Sequence, residues 1–195
     1  MINDHKYISL IANGNQETFK KLMEQFADEL WFFAKGFLRN SEVAEEIVSD
    51  VFVKLWKNRT ELHKINNLKS YLFICVKNGC LSHIRKIKNE KVISIDEFSD
   101  FQFIPVEGPE SEIINKEVIA QIHQAIKQLP PKCKVAFTLA KINGLRHKEI
   151  AEVMGVSEKT VNNHIVSAIK KITTALHITK KPSEKKTPFK RASLF

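Results

Sequence analysis

The chain has little of what usually marks a secreted domain, a membrane protein or an enzyme. It carries three cysteines, Cys75, Cys80 and Cys133, an odd and unpatterned set that suits a reducing compartment better than a disulfide framework. Cys75, Cys80, His83 and His63 could be drawn together as a metal site. Structural zinc ligands come in tighter pairs, however, and these residues fall on several helix faces, so buried or surface thiols are the better reading. No apolar run is long enough to span a bilayer, and Met1-Ile2-Asn3-Asp4-His5-Lys6 lacks the basic-then-apolar pattern of a signal peptide. A cytoplasmic protein without membrane insertion is expected. There is no phosphate-cradling glycine loop, no Ser/His/Asp relay and no inward pair of carboxylates. Enzymatic activity, catalytic residues, metal and cofactor are therefore not expected.

Basic charge is present in excess. Lys and Arg number 31 against 22 Asp and Glu, a formal net charge of +9, which favours an anionic partner such as nucleic acid. The length permits one or two domains, and 43% hydrophobic residues is ordinary for a globular core.

The most informative stretch runs from His147 to Ile165 and reads as a helix-turn-helix. Small Ala151 sits where two helices must nearly touch, Gly155 supplies a left-handed turn, and Val161 plugs the second helix onto the first. Ile150, Val153 and Met154 form an apolar stripe on the first helix, and Val161, Ile165 and Ile169 form one on the second. Ser157 is placed as an N-cap, leaving Glu158, Lys159, Thr160, Asn162 and Asn163 pointing away from the stripe. Such a unit presents its second helix to the DNA major groove; the alternative is a helical hairpin whose polar face is only solvated.

The first half is strongly helical. Phe19, Leu22, Phe26, Leu30, Phe33 and Phe37 recur at helical steps between Glu17 and Arg39, and Asn40-Ser41 breaks the pattern. A second helix runs from about Glu42 to Asn58, with Val43, Ile47, Val51, Phe52, Leu55 and Trp56 inward and Glu42, Glu45, Glu46, Ser49 and Asp50 largely outward. Those acids either serve capping and solubility or form a docking face for a basic partner. A third helix, roughly Lys69 to Lys88, takes apolar positions from Tyr71, Leu72, Cys75, Leu81 and Ile84 and is basic through Lys69, Lys77, Arg85, Lys86 and Lys88. An aromatic among basic and amide residues suits unstacked single-stranded DNA, though a helical tyrosine can equally be core.

Residues 92–115 carry six acids (Asp96, Glu97, Asp100, Glu107, Glu110, Glu112) and no Lys or Arg, and read as a linker. Phe98, Phe101, Phe103 and Ile104 make it more than a solvated spacer, so something is expected to cover it. Beyond it, one helix runs from Lys116 to about Gln128, Leu129-Pro130-Pro131 breaks it, and another runs from Lys132 to Ile142 before the Asn143-Gly144 turn. The tail past Leu176 has six basic residues against Glu184 alone and is expected to be disordered until it meets an anion. The expected fold is all-α: two small helical domains at 1–91 and 116–176, an acidic linker at 92–115 and a basic tail at 177–195, with the helix-turn-helix in the second domain.

An acidic-faced helix, a basic aromatic helix, a linker and a terminal helix-turn-helix, in that order, resemble a bacterial RNA polymerase sigma factor of the extracytoplasmic-function group of the sigma-70 family. Ala44 to Trp56 is similar to its region 2.2; Leu68-Lys69-Ser70-Tyr71-Leu72-Phe73, with Asn78 and Arg85-Lys86, to regions 2.3 and 2.4; Leu129-Pro130-Pro131-Lys132-Cys133 and the helix-turn-helix to region 4. The resemblance implies a factor that binds core RNA polymerase and directs promoter-specific initiation. Glu45, Glu46 and Asp50 would meet the β′ clamp helices. Lys69, Ser70, Tyr71, Lys77, Asn78, Arg85 and Lys86 would hold the melted minus-ten element. Ser157, Glu158, Lys159, Thr160, Asn162, Asn163 and His164 would face the minus-thirty-five groove, with Lys170 and Lys171 on phosphates and contact to the β flap. It further implies an acidic linker near the RNA path and an anti-sigma factor as partner. Three departures stand out: Ser82 and His83 where the family often has an acid and an aromatic, Gly79 within a helix, and Arg146 in place of the usual serine cap.

Two other readings fit parts of the sequence. One is a transcriptional regulator with a helix-turn-helix of response-regulator type that does not dock on polymerase; the other is a helical adaptor that binds partner helices without touching DNA.

Overall fold

The computed structural model describes residues 5–88, 98–105 and 116–179, and regular structure among them is entirely helical. Among the described residues, four helices and a 3-10 turn build the first half around a phenylalanine-rich seam. α2 (Gln16–Phe37) is capped by Asn15, whose Oδ1 accepts from Thr18 N–H at 2.8 Å, and buries Phe19, Leu22, Phe26, Leu30, Phe33 and Phe37. α3 (Ser41–Lys57) is capped in the same way by Asn40, accepting from Glu42 N–H at 2.8 Å; each such cap stabilises by about 1 kcal/mol. α4 (Leu68–Lys88) lies across both, on a buried face of Leu72, Phe73, Val76, Cys80 and Leu81. Gly79 explains its own presence here: a Cβ would stand 2.8 Å from Ile47 Cγ2, so the missing side chain lets α3 and α4 approach.

Two elements were not expected from the sequence. α1 (His5–Ala12) packs on a 3-10 turn at Arg59–Lys64, burying Ile11 against Leu62, and Tyr7 Oη donates to Thr18 O at 2.9 Å.

In the second half, α5 (Lys116–Lys127), α6 (Pro131–Lys141), α7 (His147–Met154) and α8 (Glu158–Thr179) follow the expected order. Pro131 opens α6 at its first turn, and left-handed Gly155 (φ 66°) ends α7. The stripe on α8 differs from expectation. Val161 and Ile165 are buried, but Ile169 is 44% exposed, and Ala168 and Ile172 complete the face. Successive steps of four residues drift round a helix of 3.6 residues per turn, and a step of three brings the stripe back.

The described part of the linker, residues 98–105, is covered, as its aromatics suggested. Phe98 and Phe101 lie in a ring cluster with Phe37, centroids 5.9 and 5.1 Å away, and Phe101 also faces Phe33 at 5.9 Å. Gln102 N–H donates to Gly36 O at 2.7 Å. One step on, Phe103 enters a separate core of Ala125, Ile126, Leu129, Cys133, Ala168 and Ile172. One short strap therefore holds both halves. α7 packs directly on α4, and a single buried cluster runs from α1 through to Val161 and Ile165. Of the six linker acids only Asp100 lies within the described residues; Asp96, Glu97, Glu107, Glu110, Glu112 and the basic residues from Lys180 onward lie outside them.

Candidate nucleic-acid interface

α4 is the element on which the minus-ten residues were expected, and its helical phase sorts them. Tyr71, Asn78, Arg85 and Lys86 are exposed. Lys69 is half-buried, its Nζ 2.9 Å from Glu29 Oε2 and 5.8 Å from the Phe26 ring centroid. Two of the expected residues are not presented in this arrangement. Ser70 is 2% exposed and Lys77 9% exposed, because α7 covers the first and the linker the second: Ser70 Oγ donates to Glu152 Oε2 at 3.0 Å, and Lys77 Nζ sits 5.9 Å from the Phe98 centroid.

Between α3 and α4 runs a groove of about 540 Å³ lined by Glu46, Asp50, Lys54, Tyr71, Asn78, Ser82 and Lys86, among others. The carboxylates expected to dock on protein and the side chains expected to hold DNA thus share one groove. Glu45 is exposed but does not line it. It stands four residues before Ser49, on the helix face where a second, apolar groove of about 290 Å³ opens between α2 and α3 beside Met23, Val53 and Trp56. The α3 acids are therefore divided over two faces.

Tyr71 and Cys75 are neighbours on α4; burial raises the pKa of both, and hydrogen bonding between them raises the tyrosine's further. Burial pushes the Cys80 thiol up to about 12, so it stays protonated and inert at neutral pH. Among the described residues, no cluster of His, Cys, Asp and Glu could hold a metal ion.

The helix-turn-helix carries its polar face outward. Ser157 caps α8, its Oγ accepting from Thr160 N–H at 3.1 Å and lying 2.8 Å from Thr160 Oγ1, so Thr160 is half-buried and engaged. Glu158, Lys159, Asn162, Asn163, Lys170 and Lys171 are exposed. His164 differs: half-buried, it turns its Nδ1 to within 3.7 Å of Cys133 Sγ on α6, and burial followed by the positive Lys132 lowers its pKa. Arg146 does open α7 in place of serine. Its backbone N–H donates to Glu149 Oε2 and its Nε to Glu149 Oε1, both at 2.8 Å.

Asn67, Glu149 and Glu152 escaped sequence reasoning, yet they join the halves. Glu149 had a partial signal, an acid three residues after the N-cap; the contacts of Asn67 and Glu152 leave no periodic trace.

Two family models match the chain in the order of its halves: sigma-70 region 2 over residues 22–90 and sigma-70 region 4 over residues 119–172. The RNA polymerase sigma-H factor of Pseudomonas aeruginosa is 24% identical over 180 residues, spanning 89% of this chain and 93% of that one. The ECF RNA polymerase sigma factor SigW of Bacillus subtilis is 24% identical over 167 residues, spanning 82% and 89%. Among solved structures, CnrH in complex with the cytosolic domain of CnrY aligns with a TM-score of 0.60 at 20% identity, covering 90% of this chain and 98% of that one. The sigma factor RpoE of Bartonella quintana, solved with the anti-sigma factor NepR, aligns with a TM-score of 0.59 at 20% identity, covering 82% and 97%. At such identities the structural likeness is one of fold.

Proposed function

The chain belongs to the sigma-70 family of RNA polymerase sigma factors, in its extracytoplasmic-function group, and from that membership we propose how its parts divide the start of transcription. The polymerase supplies the chemistry and this chain supplies recognition, in the cytoplasm; no described helix is long and apolar enough to cross a membrane. α3 docks on the β′ clamp helices through Glu45, Glu46 and Asp50. Tyr71, Asn78, Arg85 and Lys86 of α4 hold the opened minus-ten strand, joined by Lys69, Ser70 and Lys77 only once their covers lift. Opening duplex DNA costs about 1.4 kcal/mol per base-pair step, and each captured base returns about 1–3 kcal/mol, so several contacts must act together.

α8 reads the minus-thirty-five element as duplex, through Glu158, Lys159, Asn162 and Asn163, with Lys170 and Lys171 on phosphates. Asn pairs with adenine and Glu with cytosine, each good bidentate pair discriminating by about 1–3 kcal/mol. Ser157 and Thr160 set the start of that helix, and His164 supports it from the side. The second half also touches the β flap. An anti-sigma factor is a further partner, as for the Bartonella quintana sigma factor crystallised with one.

The observation that carries this reading is the α3–α4 groove, which sets an acidic docking edge beside a basic aromatic helix within the region 2 match and upstream of a helix-turn-helix. Pull-down with core polymerase followed by transcription from a promoter library tests it. Binding and promoter-specific initiation are expected; a chain that binds DNA but not core would be a regulator of another kind, and one that binds neither would be an adaptor.

A further inference from the structure

A cavity of about 770 Å³ opens where the last turn of α2, the first turn of α3, the last turns of α4 and the linker strap meet. That volume is within the range of about 300–1,000 Å³ that holds small ligands. Backbone bonds fix its walls: Leu38 N–H donates to Ala34 O at 3.0 Å, and Gln102 N–H donates to Gly36 O at 2.7 Å. Asn40 Oδ1 accepts from Glu42 N–H at 2.8 Å and from Val43 N–H at 3.3 Å. The first amides of α3 are thus already satisfied, and the charge that faces the cavity comes from side chains.

The lining joins aliphatic surface to positive charge. Leu38, half-buried Val43, Ile84 and Ile104, and Ile87, which is 71% exposed, supply the first. Single exposed apolar residues need no explanation, but five around one cavity do. Lys35, Arg39 and His83 supply the second, against the carboxylate of Asp100. Lys35 Nζ donates to the neutral Ser41 Oγ at 2.7 Å, and Arg39 is exposed, its planar fork matched to a carboxylate. A nucleotide base would need an open ring to stack on, yet the Phe37 ring is 8% exposed and packed on Phe98 and Phe101. We propose that this cavity is a binding site for a free aliphatic carboxylate, with its chain on Val43, Ile84, Ile87 and Ile104 and its head on Arg39 beside Lys35. His83 lines both this cavity and the α3–α4 groove, so the ligand bears on a wall of the groove assigned to polymerase and DNA. Occupancy of the cavity does not depend on that assignment.

Titration calorimetry of the full chain with hexanoate, octanoate and decanoate, each kept monomeric, tests the site. Affinity should rise about fourfold per methylene buried. Arg39→Gln should weaken decanoate binding about tenfold, the loss of one charge-assisted hydrogen bond, and Ile87→Ser should flatten the dependence on chain length. Arg39 and Ile87 are both exposed, so neither change opens a core, and helical circular dichroism checks each fold. Lys20→Gln removes the same charge from an exposed position of α2, about 22 Å along the helix from Lys35, and should bind decanoate as wild type does. Decyltrimethylammonium, an equal chain with the opposite charge, should bind at least tenfold more weakly than decanoate. Equal affinity for the two amphiphiles, no effect of Arg39→Gln beyond that of Lys20→Gln, or no dependence on chain length overturns the proposal. So does binding to phosphatidylglycerol vesicles without binding to monomeric decanoate, which would make the face a membrane surface. Duplex DNA binding that Arg39→Gln weakens, with no decanoate binding, overturns it in favour of a DNA face.

Discussion

Replacing Gly36 by alanine tests whether the linker strap is seated as described, because helix propensity and packing demand opposite signs. Gly36 lies near the end of α2, and alanine at an open helical position is favoured over glycine by about 1 kcal/mol. Here a Cβ would come within 2.3 Å of Phe101 Cε2, 2.7 Å of Phe101 Cζ and 3.0 Å of the Gln102 carbonyl oxygen. The ring and the strap backbone must both move. Displacing Phe101 forfeits about 1.5–3 kcal/mol of side-chain burial, and losing the bond from Gln102 N–H to Gly36 O adds about 1 kcal/mol. Set against the helix gain, the expected net loss is about 1.5–3 kcal/mol, read from urea midpoints at constant m-value or as a Tm about 3–12 °C lower. In a Phe101→Ala background the ring clash is gone and only the 3.0 Å approach to the Gln102 carbonyl oxygen remains, so the same glycine substitution should cost clearly less than in the wild-type chain. A Gly36→Ala chain as stable as wild type, or an unchanged effect in the Phe101→Ala background, would refute the seating of the strap and with it the tether between the halves.

Reversing Glu45, Glu46 and Asp50 to lysine should weaken core polymerase binding about tenfold or more, since exposed pairs contribute about 0.2–1 kcal/mol each and reversal adds repulsion; duplex DNA affinity of the full chain should not fall, and equal loss of both would point to misfolding. His164 has a folded pKa depressed below the ordinary 6.5 by burial and by Lys132. Its contribution to stability is thus complete above about pH 6.5 and lost as pH falls through the lowered value. Urea midpoints should drop on mild acidification and the drop should shrink in His164→Gln; identical slopes in the two chains would remove this residue as the cause. With its thiol pushed up to about 12, Cys80 should resist alkylation in the native chain and react only on unfolding, a prediction that peptide mass mapping checks and that modification of Cys80 in the native state would contradict.

Periodicity made most of the fold legible. α2, α3 and α4 announce themselves because their apolar residues recur over many turns, and the glycine and N-cap of the helix-turn-helix are set by local backbone chemistry that a sequence carries in full. α1 was missed for the opposite reason: its eight residues offer only two turns, and among those whose burial is described only Ile11 is fully buried. The 3-10 turn after α3 buries Leu62 alone. The misplacement of Ile169 has the same origin as the successes, since a stripe extended by equal steps follows a period the helix does not have.

The candidate site was legible in composition but not in exposure. Lysine, tyrosine and asparagine on α4 marked it as a face for nucleic acid, and Tyr71, Asn78, Arg85 and Lys86 are indeed presented. Nothing in the period of α4 separates Ser70 and Lys77 from them, because what buries those two is not α4's own core. Ser70 is covered by a carboxylate 82 residues away, and Lys77 lies beside Phe98 of the linker. A helical period reports which face is apolar; it is silent on which polar face a distant segment covers. On this chain the distant segments are the linker and the helix-turn-helix itself, so the residues hidden from sequence reasoning are those at which one half of the molecule packs on the other.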